Sequence, residues 1–192
     1  MSIAARSSGP TAEEAIAATR EWLERAVIGL GLCPFAKAVH VKGQIRYAVS
    51  DARNSSSLLD DLQRELQTLT EAPPAEIDTT LLIHPYALND FLDYNDFLET
   101  ADELVESEGL TGILQVASFH PRYQFAGTAA DDITNYTNRS PYPTLHLLRE
   151  ASVDEAVAAF PEAEAIFEKN IETMQRLGLP GWEGLGLNRD PR

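Results

Sequence analysis

Cysteine is almost absent: Cys33 is the single one in 192 residues, so no internal disulfide can form. The fold must be held by packing, and a lone thiol suits a reducing compartment. Long apolar runs are absent too, and none approaches the roughly 20 residues of a membrane-spanning helix. Positive charge is scarce, with 15 Lys and Arg against 30 Asp and Glu and a net charge of −15. A field of that sign repels phosphate backbones and anionic lipids, which argues against nucleic acid and membrane as partners. The expectation is a soluble, cytoplasmic protein. Met1 to Pro10 holds one Arg and no apolar stretch, so it reads as a loose tail and not a secretory signal.

Several chemical signatures are also missing. There is no Walker motif and no G-x-S-x-G nucleophile elbow. The triplets Gly29–Gly31 and Gly184–Gly186 neither follow a strand nor open a helix, so there is no nucleotide cofactor motif. No H-x-H, H-E-x-x-H or C-x-x-C spacing occurs.

What is present is an ordinary globular composition, 44% hydrophobic and 23% charged, and a length that suits one domain. Thr11-Ala12-Glu13-Glu14 has capping-box spacing. Ile16, Leu23, Val27 and Leu30 follow at helical intervals until Gly31 and Pro34. Gln44 to Ser50 alternates as a strand does. A second helix carries Leu59, Leu62, Leu66 and Leu69 and stops at Pro73-Pro74. Thr79 to Ile83 is a buried-type strand. Asn89 or Asp90 caps a third helix with the stripe Phe91, Tyr94, Leu98, Ala101 and Val105, ended by Gly109. Strands are expected at 112–119 and 145–148. Ser152-Val153-Asp154-Glu155 reads as a second capping box. Two final helices follow, broken near Pro161, with Phe167, Ile171 and Met174 on the buried side.

This order predicts an α/β (or α+β) fold: a mixed, largely parallel sheet of about four strands with helices packed on it. The last strand is a candidate for antiparallel pairing. The domain is expected over 11–178, with a C-terminal extension at 179–192 in which Trp182 and Leu185 can dock.

Two strands end alike, at Ile83-His84-Pro85 and Phe119-His120-Pro121. Proline marks the point where each leaves the sheet. Parallel strands would put both histidines at the carboxyl edge, where open α/β sheets bind ligands. Imidazoles there can hold a metal or move protons; otherwise they simply cap strand ends. His146, among leucines, is either a third imidazole of that site or a satisfied core residue. Three histidines would make an open site for a divalent metal, iron or zinc. Asp93 and Asp96 are candidate fourth ligands or first-turn charges.

The stretch from Arg122 to Thr144 is long and rich in Tyr, Asn and Arg, which suits an ordered site wall. Tyr123 and Arg139 are candidate catalytic groups in it, and Arg122 and Gln124 candidate substrate contacts. Arg46 on the first strand is a further anion-binding candidate or a surface ion pair. Cys33 is either a nucleophile or a small buried side chain; beyond a helix C-terminus, the dipole disfavours its thiolate.

The stretches Gly31-Leu32-Cys33-Pro34-Phe35-Ala36, Ile83-His84-Pro85, His120 to Phe125 (H-P-R-Y-Q-F) and Asn138 to Pro143 (N-R-S-P-Y-P) are similar to those of a family of bacterial conserved proteins described only as a domain of unknown function. That resemblance spans about residues 12 to 178. It implies a cytoplasmic bacterial protein and assigns no reaction. From the residues themselves, the expectation is a small-molecule enzyme with a histidine-based site at the carboxyl edge, possible with or without metal. The alternatives are a metal-free enzyme using Cys33 and a non-catalytic binding or assembly protein.

Overall fold

The structure, a computed structural model, describes residues 9–160, 162 and 165–187. Helix α1 (Ala12–Trp22) opens with the capping box, in which the Thr11 hydroxyl accepts from the Glu14 N–H and the Glu14 carboxylate returns to the Thr11 N–H. It runs on as a π-helical turn, Leu23–Ile28, which the sequence periodicity did not reveal. Short helix α2 (Ala36–Val41), also unforeseen, precedes strand β1 (Ile45–Val49). Then come α3 (Ser55–Glu71), β2 (Thr79–Ile83), α4 (Phe91–Ser107) and β3 (Leu114–Phe119). A 3-10 helix (Ile133–Asn138) sits in the long connection, followed by β4 (Thr144–Arg149), α5 (Glu150–Ala159) and α6 (Ile166–Glu183).

The sheet is mixed and four-stranded, in the order β1-β2-β4-β3. β1 and β2 pair in parallel, while β4 pairs antiparallel with both β2 and β3. β1, β2 and β3 therefore run one way, and the last strand fills the gap between β2 and β3 in the opposite sense. All three codirectional strands end at the same edge.

One face of the sheet is covered by α3 and α4. Leu58, Leu62, Leu66 and Leu69 of α3 meet Leu82, Leu145 and Leu147 there. Full burial stabilises each such leucine by about 1.5–3 kcal/mol. Leu58 takes the fully buried place expected for Leu59, which is only partly covered. The other face packs against α1, the π-helical turn and α6 through Trp22, Leu23, Met174 and Trp182.

Two expectations about the last third are corrected. Ser152 does not cap a helix: α5 begins earlier, at Glu150, and the Ser152 hydroxyl donates to Asp78 at 2.6 Å. Phe167 is not buried but 62% exposed, although Met174 on the same helix is fully buried. The expected break at Pro161 lies outside the described residues. α6 does turn at Gly178, which has φ 64°, and continues to a buried Trp182.

Candidate functional site

Strand direction puts His84 and His120 at the carboxyl edge together, each one residue past its strand. Ile83 and Phe119 pack on the α1/α6 face, so the residues after them turn to the α4 face. There Tyr94 of α4 stacks on His84 at 5.7 Å between centroids and meets His120 at 5.0 Å. Both histidines are completely buried.

Their hydrogen bonds tie them to the nearby backbone. His84 Nδ1–H donates to the Ala87 carbonyl at 3.0 Å. His120 Nδ1 accepts the Arg122 N–H at 3.0 Å, which leaves Nε2–H to donate to the Leu88 carbonyl at 3.1 Å. The two rings thus fasten the β2–α4 connection across the ends of the strands. Tyr94 completes the clasp: its hydroxyl accepts from the Phe119 N–H and donates to the Thr144 carbonyl. Burial pushes both imidazoles down to about 4, and for His120 the nearby Arg122 and Arg139 charges push the same way.

His146 does not join them. It lies between Leu145 and Leu147, which face α3 and α4, so it points to the α1/α6 side. Its Nε2–H reaches the Thr79 hydroxyl at 2.8 Å, because Thr79 gives its own proton to the Leu147 carbonyl. Its ring packs on Phe119 at 5.9 Å. Asp93 and Asp96 lie on the solvent side of α4. A three-histidine site for iron or zinc is therefore not assembled. Both nitrogens of His120 are engaged, and only His84 Nε2 among the two edge imidazoles keeps a free lone pair. Among the described residues no group of three or more His, Cys, Asp or Glu is placed to hold a metal ion. The donor set does not fit the metal.

The remaining candidates are mostly structural ties. Arg46 makes a two-pronged pair with Glu65 of α3, at 2.7 and 3.1 Å. The Arg122 guanidinium donates to the Asn89 carbonyl at 2.7 Å, and Gln124 closes a turn on the Thr128 carbonyl at 2.7 Å. Arg139 donates to the carbonyls of Tyr123 and Ala130 and lies over the Tyr136 ring at 4.2 Å. Tyr123 packs between Phe91 and Phe125. Cys33 packs beside the Trp22–Trp182 cluster on the α1/α6 side. Burial raises its thiol, and the N–H groups of Phe35 and Ala36 oppose that only in part.

The long connection is ordered from within. Asn135, fully buried, accepts from the Phe125 N–H and the Thr128 hydroxyl and donates to the Ala129 carbonyl. Held this way, the connection forms one wall of a cavity of about 470 Å³, and α6 forms the other. Phe125, Thr137 and Asn138 line it from the connection; Phe167, Asn170 and Ile171 line it from α6. The cavity sits beside the carboxyl end of β3, since the Asn138 carbonyl accepts the His120 N–H and its side chain donates to Ser118. Asn170 also donates to the Leu32 carbonyl at 3.0 Å, which ties in the segment around Cys33. Phe167 and Asn170 were not read as site residues from sequence. An aromatic ring left on the exposed side of an otherwise amphipathic helix is the signal that marks Phe167.

A larger, more open cleft of about 560 Å³ lies at the carboxyl end of β1. Most of its charges already neutralise one another: Asp61 takes the Ser50 hydroxyl and the Arg64 guanidinium, and Glu65 takes Arg46. The smaller cavity is the more enclosed of the two.

Among the described residues no helix is long and apolar enough to cross a membrane. Residues 14–184 match the family described as "Protein of unknown function (DUF1415)". No curated protein and no solved structure matches the chain.

Proposed function

The chain belongs to the DUF1415 family, and we propose that it binds a small organic molecule in the cavity between the long connection and α6. The observation that carries this reading is the cavity itself: about 470 Å³, partly apolar, with amides placed on both walls. Small-molecule sites commonly enclose roughly 300–1,000 Å³ and combine apolar walls with a few fixed polar groups. Three of the four segments that carry the family resemblance also meet here. Phe125 and Asn138 line the cavity, and Asn170 bonds to Leu32. In this reading the histidines hold the strand ends in place and do not touch the ligand.

The test uses Ala126, an exposed lining residue. Ala126→Trp fills the cavity without entering the core. Ligand-observed NMR with a fragment library is expected to give hits on the native protein that vanish in the variant. An absence of hits, or hits indifferent to the variant, would sink the reading.

A second reading makes the ligand a substrate and Cys33 a nucleophile. It is favoured by the Asn170–Leu32 bond, which sets Cys33 one residue from a contact of the cavity wall. Loss of turnover in Cys33→Ser, with ligand binding retained, would support it.

A further inference from the structure

We propose that the ligand of this cavity is an uncharged, ring-bearing molecule carrying an amide-like donor and acceptor, and that ions of the same size are refused. This rests on the reading of the cavity as a ligand site and goes on to its chemistry. None of the described residues that line it is charged, in a chain where 23% of residues are Asp, Glu, Lys or Arg. An anion entering it would meet no cation, and one held inside a protein of net charge −15 gains nothing from the surrounding field. A cation is drawn to the acidic surface but would find no carboxylate among the described lining residues. Either ion would shed its water with no opposite charge among the described lining residues to replace it, which is costlier than burying a neutral group.

The polar groups on the wall specify the rest. Asn138 and Asn170 each give one side-chain N–H to a backbone carbonyl, of Ser118 at 3.2 Å and of Leu32 at 3.0 Å. Those bonds fix both amide planes. Neither amide oxygen accepts a hydrogen bond from a described residue. Each side chain therefore keeps an acceptor and a second N–H for a ligand. Phe125 and Phe167 line the same cavity, with ring centroids 6.4 Å apart and nearly perpendicular. Such a pair offers one face and one edge to a third ring. A primary carboxamide, a lactam or a nucleobase-like edge matches this set; a carboxylate lacks the donor, and an ammonium lacks the acceptor.

Three probes of one shape separate the possibilities: benzamide, benzoate and benzylamine, the last cationic at pH 7. Ligand-observed NMR titrations would use the native protein, Ala126→Trp and Asn170→Leu. Benzamide is expected to bind the native protein, to lose binding in Ala126→Trp, and to weaken several-fold in Asn170→Leu. Benzoate and benzylamine are expected to bind at least about tenfold more weakly. If either ion binds as well as benzamide and is displaced by Ala126→Trp, the ligand class is overturned while the cavity remains a site. If no probe responds to Ala126→Trp, the site and the class fall together. Near-native far-UV circular dichroism and melting temperature of both variants keep these outcomes separate from misfolding.

Discussion

His146 and Ala117 stand directly opposite one another on β4 and β3, and that pairing turns His146 away from His120. Side chains alternate along a strand, so a residue three positions beyond Ala117 faces the other side of the sheet. The sheet itself then separates imidazoles that look alike in the sequence. The edge pair and the lone His146 sit on opposite faces of the sheet, yet burial lowers all three imidazoles to about 4.

His84, His120 and His146 make the protein acid-labile. An unfolded imidazole titrates near 6.5, whereas burial holds these three near 4. Between those values the unfolded chain binds more protons, so stability is complete above about pH 6.5 and falls as pH drops towards about 4. Each histidine contributes a loss of about 1.4 kcal/mol per pH unit in that window. Urea denaturation at pH 7, 6 and 5 should show the decline, and His120→Gln should shallow it. A flat profile would remove the assignment of all three rings as buried and neutral. Nitrogen NMR provides an independent reading, with the proton expected on Nδ1 of His84 and on Nε2 of His120.

Asn135→Ala should loosen the cavity wall. The variant removes an acceptor from the Phe125 N–H and the Thr128 hydroxyl and a donor from the Ala129 carbonyl. Leaving such groups unpaired in the interior costs about 1–3 kcal/mol. A lowered melting temperature should accompany faster tryptic cleavage at Arg122 and Arg139. Unchanged cleavage kinetics would show that the connection is held by something else.

Cys33 should be a slow thiol. Burial raises it above its usual range despite the N–H groups of Phe35 and Ala36, so little thiolate exists at neutral pH. Alkylation by iodoacetamide at pH 7.5 should run several-fold slower in the folded protein than in urea. A folded rate exceeding the unfolded one would instead reveal an activated cysteine and favour the enzymatic reading.

The elements themselves were readable because their causes are local. The Thr11 box, the leucine row of α3 and the Asp90 cap of α4 depend on neighbours three or four positions away. The π-helical turn at Leu23–Ile28 escaped because its apolar residues still look helical. Ser152 misled because a hydroxyl with capping spacing found a distant partner, Asp78. Phe167 misled because its ring packs against Phe125 of the long connection and not into the core.

The sequence alone determined that this is an acidic α/β protein with a mixed sheet, that His84 and His120 follow two strand ends, and that residues 122–144 form a long connection. Periodicity, capping and the φ restriction of proline act within a few residues, so they leave marks that can be read in order. Only the tertiary structure decided which face each histidine takes, that the arginines are tied to Glu65 and to backbone carbonyls, and that α6 closes a cavity against the long connection. Those outcomes depend on contacts between elements far apart in the chain, among them the insertion of β4 between β2 and β3. The free energy of that insertion comes from side chains far apart in the chain, and no local pattern records it.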